Sequence, residues 1–346
     1  MPVYGVPPSV FRNGGVAGPA PGTWPRTPVE TAIVLAGGGN RGAVQVGMLR
    51  ALVERGVVPN LIVGTSIGAI NGAAFAGAPT LEGVYLAADL WRRIAARDVF
   101  PRRRFHGTWR FLEKRASVFP IEGLRGAVAA YLRFERLEDA PVPLLLIATR
   151  LDDGVEEWLT TGSALDAIMA SAALPGMYPA IEIGEHRYFD GGVMNNVGIS
   201  AALAAGAKRV YVLLCDRVDA AAPSFSRPFE AMFAAFSLAL GARVRRDLAN
   251  VPADVDVVVI EQPGTAIFDP QDFSKTDELI EQGYRAAREV LDEYDRGLRV
   301  GSGRGTERDL VSRLRRVGAA SAARRKDQRD PNAASRADEV PSGSTE

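Results

Sequence analysis

Two glycine-framed turns in this chain carry residue types suited to acyl transfer. The first, Gly37-Gly38-Gly39-Asn40-Arg41-Gly42, follows one apolar run, and the second, Gly64-Thr65-Ser66-Ile67-Gly68, follows the next. The G-x-S-x-G form of the second places Ser66 on a sharp strand-to-helix bend that lifts its hydroxyl above a sheet edge. Gly64 and Gly68 flank it because the bend leaves no room for a Cβ. The first turn sets a row of backbone N–H groups at a helix start, where they can hold negative charge developing on a substrate oxygen. A third element, Asp190-Gly191-Gly192, closes the alternating segment His186-Arg187-Tyr188-Phe189, so a carboxylate stands at a strand end with glycines freeing the turn beyond it. An α/β-hydrolase would need the order serine, acid, histidine. The chain has only His106 and His186, and neither follows Asp190. That order is excluded, and Asp190 itself becomes the candidate base for Ser66.

Each motif also has a plainer reading. Gly37-x-Gly39-x-x-Gly42 fits the dinucleotide fingerprint, which requires an acidic residue about 20 positions on, at the end of the next strand. That strand reads Leu61-Ile62-Val63 and runs into Gly64-Thr65-Ser66, while Glu54 falls at the end of the intervening helix. Asp190-Gly191-Gly192 taken alone is a turn with a solvated aspartate. His186 shares strand parity with Asp190, which leaves a serine, histidine and aspartate site of unusual chain order as a further alternative. With two histidines far apart and one cysteine, no metal site is expected, and no cofactor.

Taken together and in this order, the three motifs resemble those of the patatin-like phospholipases, in the compact bacterial group. That family carries G-G-G-x-[KR]-G, then G-x-S-x-G, then D-G-[GA]. The resemblance runs from about Thr31 to about Tyr294, through Ser171-Ala172-Ala173-Leu174-Pro175-Gly176 and Asp272-Phe273-Ser274. It implies that Ser66 is the nucleophile and Asp190 its partner in a Ser-Asp dyad. It also implies that Gly37, Gly38, Gly39 and Arg41 form the oxyanion hole, with Gly42, Gly64, Gly68, Gly191 and Gly192 as supporting glycines. The expected function is that of a serine lipid acyl hydrolase acting through an acyl-enzyme on a lipid or ester substrate. A non-catalytic regulator on the same fold and a dinucleotide-binding enzyme are the other readings. The chain departs from the family at Gly198, where proline is usual, at Arg150, where aspartate is common, and at Ala180, which replaces a proline.

These residues need a scaffold. Apolar runs alternate with helical patterns, which predicts an α/β fold of three layers, a mainly parallel central sheet with helices on both faces. Strands are expected at 31–35, 61–63, 144–149, 209–214 and 255–260. Helices are expected after Gly42 and after Ser66, and at 81–95, 122–132, 164–171, 229–248 and 276–295. Asp152-Asp153-Gly154 reads as a hairpin turn between the 144–149 strand and Glu156-Glu157-Trp158-Leu159. Ligands of such sheets gather at the carboxyl ends of the strands, where Ser66, Asp190 and the Gly37 loop all fall. The uncharged stretch 57–81 is long enough to tempt a transmembrane reading, but Pro59, Asn60, Gly64, Asn71 and Pro79 break it. It reads instead as a buried strand and helix.

Across 346 residues, 41 basic side chains balance 41 acidic ones, which excludes the basic field that duplex binding needs. Cys215 lies in an apolar run and is expected to be a buried core thiol; a single cysteine forms no intrachain bridge, which fits a reducing, cytoplasmic setting. Residues 1–28 are rich in proline and glycine and are expected to be loosely packed or disordered. Residues 29–298 are the expected hydrolase domain. Residues 299–346, of mixed charge and poor in aromatic and β-branched side chains, are expected to be a disordered tail. In residues 91–119, Trp91, Phe100, Phe105, Trp109, Phe111 and Phe119 interleave with arginines, among them Arg102, Arg103 and Arg104. One reading is a flap in peripheral contact with an anionic membrane surface. The other, favoured because one clean apolar face is missing, is a polar surface excursion whose aromatics pin it to the core. Phe229, Met232, Phe233 and Phe236 have helical spacing and read as core rather than as a lipid cradle.

Overall fold

The computed structural model describes residues 16–17, 24–25, 27–94, 99, 117–217, 228–262 and 272–296, with only the backbone described at 16–17 and 228–237. Among the described residues nine strands form one sheet: β1 (Val16–Ala17), β2 (Thr31–Leu35), β3 (Leu61–Thr65), β4 (Leu144–Arg150), β5 (Val155–Leu159), β6 (Ile181–Ile183), β7 (His186–Asp190), β8 (Arg209–Leu214) and β9 (Asp256–Glu261). The strand order is β1-β5-β4-β3-β2-β8-β9. From β4 through β3, β2 and β8 to β9 every pairing is parallel, whereas β4 and β5 form an antiparallel hairpin. Gly154, at φ 68, makes the turn of that hairpin, as Asp152-Asp153-Gly154 implied.

The helices are α1 (Ala43–Glu54), α2 (Ile67–Ala76), α3 (Leu81–Arg93), α4 (Glu122–Ala129), α5 (Ala164–Ala172), α6 (Ile199–Ala204), α7 (Pro228–Ala249) and α8 (Thr276–Asp295). They divide between the two faces of the sheet because the parallel strands are apolar on both sides. Ile33 and Leu35 of β2 face a core shared with α1, α2, α3, α4, α5 and α8. Ala32 and Val34 of the same strand face a second core completed by α6 and α7. The fold is therefore the three-layer α/β arrangement expected. The stretch 57–81 is indeed a buried strand and helix, and among the described residues no helix is long and apolar enough to cross a membrane.

One feature of the sheet positions the site. Along one edge, β4 pairs with β3 over its first half, with Ile147 opposite Thr65. Beyond that point the same edge pairs with β7, antiparallel, with Ala148 opposite Asp190. The ends of β3 and β7 thus meet head to head on consecutive residues of β4. Strand β7 is the alternating segment that ends at Asp190; its hairpin partner β6, paired at Ile181↔Tyr188 and Ile183↔His186, and the six-residue α6 are elements that periodicity did not reveal.

Of the remaining expectations, those for 299–346, for most of 1–28 and for residues 95–98 and 100–116 lie outside the described residues, as do the side chains of Phe229, Met232, Phe233 and Phe236. The described start of the 91–119 segment is anchored: Trp91 is buried in the core, Arg92 pairs with Asp277 and Arg93 with Asp89.

Helices α1 and α8 approach closely enough that a Cβ at Gly47 would lie 1.8 Å from the Ile280 carbonyl oxygen and one at Gly283 would lie 2.0 Å from that of Val44. Gly283→Ala should therefore force the helices apart and destabilise the fold by about 1–3 kcal/mol, read as a lowered urea midpoint. An unchanged midpoint would show that the two helices do not depend on this contact.

Candidate active site

The chain leaves β3 at Thr65 and enters α2 at Ile67, and Ser66 between them has φ 56 and ψ −122. It is the one non-glycine residue with positive φ among those described, a conformation that costs on the order of 1–3 kcal/mol and persists only when its surroundings over-determine it. Those surroundings are specific. The Ser66 amide donates to Ser171 Oγ at 2.9 Å, and Ser171 in turn donates to the Ile147 carbonyl at 2.6 Å. The turn is too tight for side chains at its flanks: a Cβ at Gly64 would lie 2.6 Å from the Gly68 carbonyl oxygen, and one at Gly68 would lie 2.1 Å from that of Leu35.

Asp190 ends β7 with its amide donating to the Ala173 carbonyl (2.9 Å) and its carbonyl accepting from Thr149 Oγ1 (2.9 Å). Its carboxylate is buried. Oδ2 accepts from Ser66 Oγ at 2.5 Å, and Oδ1 accepts from the Gly192 amide at 2.7 Å. Burial penalises the charged form and pushes the Asp190 pKa up to about 6; the Ser66 and Gly192 hydrogen bonds oppose the rise without cancelling it.

The glycine-rich loop lies alongside. The Gly37 amide is already engaged, donating to the Asn196 carbonyl at 3.0 Å, so it is withdrawn from the set of oxyanion donors. Among the described residues the amides of Gly38 and Gly39 meet no protein acceptor. Gly38 lies so near β8 that a Cβ there would fall 2.3 Å from that of Cys215, the buried thiol. Arg41 forms an ion pair with Asp216 and its Nε reaches the Gly38 carbonyl at 3.5 Å, which ties down the loop it belongs to. Behind the loop stands a buried amide network. Gln45 Nε2 donates to the carbonyls of Ala36 (2.8 Å) and Leu213 (3.1 Å). Asn71 Nδ2 donates to the Gly42 carbonyl and to Gln45 Oε1, both at 2.9 Å, and Trp91 Nε1 donates to Asn71 Oδ1 at 2.8 Å.

His186 stands apart from this cluster. It begins β7 half-exposed, with Nδ1 3.0 Å from Asp152 Oδ2, four residues and so roughly 13 Å along the strand from Asp190. His106 lies outside the described residues. The family departures also have local causes. Gly198 takes φ 68 at the start of α6, which the ring of proline forbids, and Arg150 is held by Asp153 and Glu157 across the β4–β5 hairpin.

Residues 33–203 match the patatin-like phospholipase family model, and the chain carries a domain of that family. Among individual proteins it is similar to lysophospholipase NTE1 of Mycosarcoma maydis, 26% identical over 315 residues, spanning 81% of this chain and 16% of that protein. It is also similar to patatin-like phospholipase domain-containing protein 7 of Rattus norvegicus, 32% identical over 184 residues, spanning 53% of this chain and 13% of that protein. The chain thus corresponds to less than a fifth of the length of either relative. Among solved structures, VipD from Legionella pneumophila aligns over 77% of this chain and 67% of its own, with 14% identity and a TM-score of 0.42.

A raised carboxylate pKa ties stability to pH. In the unfolded chain Asp190 titrates near 3.8, in the folded protein near 6. The folded state therefore holds the proton more tightly, and its advantage is complete below pH 3.8 and lost as pH rises through about 6. Above that, the buried charge costs the fold up to about 3 kcal/mol. Asp190→Asn keeps the shape and the acceptor for Gly192 without the charge. Its stability relative to the parent protein should climb between pH 4 and pH 8, measured by urea unfolding; a difference independent of pH would contradict the buried-charge account.

Proposed function

We propose that the protein is a serine lipid acyl hydrolase in which Ser66 is the nucleophile and Asp190 the general base. The observation that carries this reading is the 2.5 Å hydrogen bond from Ser66 Oγ to a buried carboxylate at a strained strand-to-helix turn. An ester carbonyl docks with its oxygen toward the amides of Gly38 and Gly39, and the Ile67 amide at the start of α2 adds a donor and the positive end of a helix. Ser66 Oγ attacks the carbonyl carbon while Asp190 takes its proton. The tetrahedral intermediate collapses, the ester C–O bond breaks, and Asp190 returns the proton to the leaving alcohol. Water, deprotonated by the same carboxylate, then attacks the acyl-enzyme and releases the acid with Ser66 restored.

Asp190 has the properties such a base needs. Its pKa near 6 leaves it ionised at neutral pH yet more basic than an exposed aspartate. A carboxylate remains a weak base toward a hydroxyl, so a large share of the rate falls to the oxyanion donors, each worth about 3 kcal/mol. A lipid acyl ester is the substrate class that family membership and the lysophospholipase named among the relatives support. A purely regulatory protein would gain nothing from a strained serine turn set over a buried charge.

Ser66→Ala should reduce hydrolysis of p-nitrophenyl butyrate and of a lysophospholipid by about a thousandfold or more with the melting temperature preserved, whereas His186→Gln should stay within about twofold of the parent, because His186 faces Asp152. Full activity in Ser66→Ala would overturn the mechanism, and a thousandfold loss in His186→Gln would favour a histidine-assisted site.

A further inference from the structure

A second buried carboxylate lies behind the site. Glu156, on β5, is 1% exposed. Its Oε1 accepts from Asn195 Nδ2 and from Trp158 Nε1, both at 2.8 Å, and its Oε2 accepts from Arg243 Nη2 at 2.9 Å. Arg243 reaches in from α7, on the far side of the sheet from α1 and α2, and its other nitrogen, Nη1, donates to the Met194 carbonyl at 2.6 Å. The guanidinium fork thus holds Glu156 with one prong and the backbone of the Asp190–Asn196 loop with the other. Arg243 lies beyond the residues that match the family model.

Among the described residues that loop touches each part of the candidate site. The Asn195 carbonyl accepts from Thr65 Oγ1 at 3.2 Å, next to Ser66. The Asn196 carbonyl accepts the Gly37 amide at 3.0 Å, at the root of the glycine-rich loop. The Asn195 amide donates back to the Gly191 carbonyl at 2.8 Å, one residue from Asp190. Asn195 is itself fully buried, and its side-chain oxygen caps the start of α6 by accepting from the Gly198 amide at 2.9 Å. Nucleophile, base and oxyanion loop are therefore mutually placed through residues 190–196, and Glu156 and Arg243 hold those residues from behind.

We propose that Glu156 and Arg243 are a paired set of positioning residues for the hydrolysis: by clamping Asn195 and the Met194 carbonyl they fix the Asp190–Asn196 loop and with it the alignment of Asp190 on Ser66. The inference rests on the acyl-hydrolase reading of the site. The long helix α7 is then part of the catalytic scaffold, because it reaches the loop through this guanidinium. Removing a partner of a buried ion pair strands the other charge, so truncation alone would confuse placement with stability. Conservative variants separate the two. Arg243→Lys keeps the charge beside Glu156, but a single ammonium cannot reproduce the planar fork onto two acceptors. Glu156→Gln keeps an oxygen for Asn195 and loses the charge that holds Arg243.

On p-nitrophenyl butyrate, Arg243→Lys and Glu156→Gln should each lower kcat by about tenfold to a hundredfold, since sub-ångström misplacement of reacting groups carries penalties of that order. KM should stay within about twofold, and the Arg243→Lys melting temperature should stay close to the parent value. The double variant should lose no more than the worse single one, because both act through one loop. Wild-type kcat in folded Arg243→Lys, or losses that multiply in the double variant, would overturn the clamp. If Glu156→Gln fails to fold, Arg243→Lys decides alone. Ser66→Ala, assayed alongside, keeps the two levels distinct: activity in Ser66→Ala defeats the reading of the site itself, while an inactive Ser66→Ala beside a fully active Arg243→Lys defeats only the clamp.

Discussion

The site depends on one edge of β4. Because β3 stops opposite Ile147 and β7 stops opposite Ala148, two chain ends far apart in sequence meet on adjacent rungs of one strand. Ser66 follows the first end and Asp190 is the second, so a separation of 124 residues closes to a 2.5 Å hydrogen bond. The same short stretch of β4 supplies the fastenings. The Ile147 carbonyl receives Ser171, which holds the Ser66 amide, and Thr149 holds the Asp190 carbonyl. A one-residue slip of either strand would turn its side chains to the opposite face, so the register of β4 governs the contact of Ser66 with Asp190 as well as the fold.

Electrostatics then separate two buried carboxylates that share this neighbourhood. Glu156 accepts from a guanidinium, an indole and a side-chain amide, so it serves as a structural anchor. Among the described residues Asp190 accepts from a hydroxyl and a backbone amide and meets no cation, and burial leaves it a stronger base than an ordinary aspartate. Contrasting environments for titratable groups are how one fold assigns them different roles. The strained φ of Ser66 belongs to the same arrangement: it faces the hydroxyl toward Asp190 at the start of α2.

Much of this was legible in the sequence, and what was not has a common physical reason. Ser66, Asp190 and the glycine loop announce themselves because tight turns demand glycine at fixed offsets, and the parallel strands announce themselves as apolar runs. The hairpin of β4 and β5 follows from Asp152-Asp153-Gly154. The head-to-head meeting of β3 and β7 does not, since it is a long-range pairing with no local periodicity. Ser171, Gln45, Asn71 and Asn195 went unassigned although each is a polar residue in or beside an apolar segment, the signal that a buried hydrogen bond awaits it. Gly37 reads from its motif as an oxyanion donor, but its amide is spent on Asn196. The Arg41 side chain pairs with Asp216, a partner 175 residues away that no motif spacing encodes.

The central claim is that ionised Asp190 activates Ser66, and covalent labelling of Ser66 by a fluorophosphonate tests it without reference to the natural substrate. The labelling rate, followed by peptide mass spectrometry from pH 4 to pH 8, should rise with an apparent pKa of about 6 and all but vanish in Asp190→Asn. Labelling of Ser66 in Asp190→Asn at the parent rate, or a rate that does not change across that range, would contradict it.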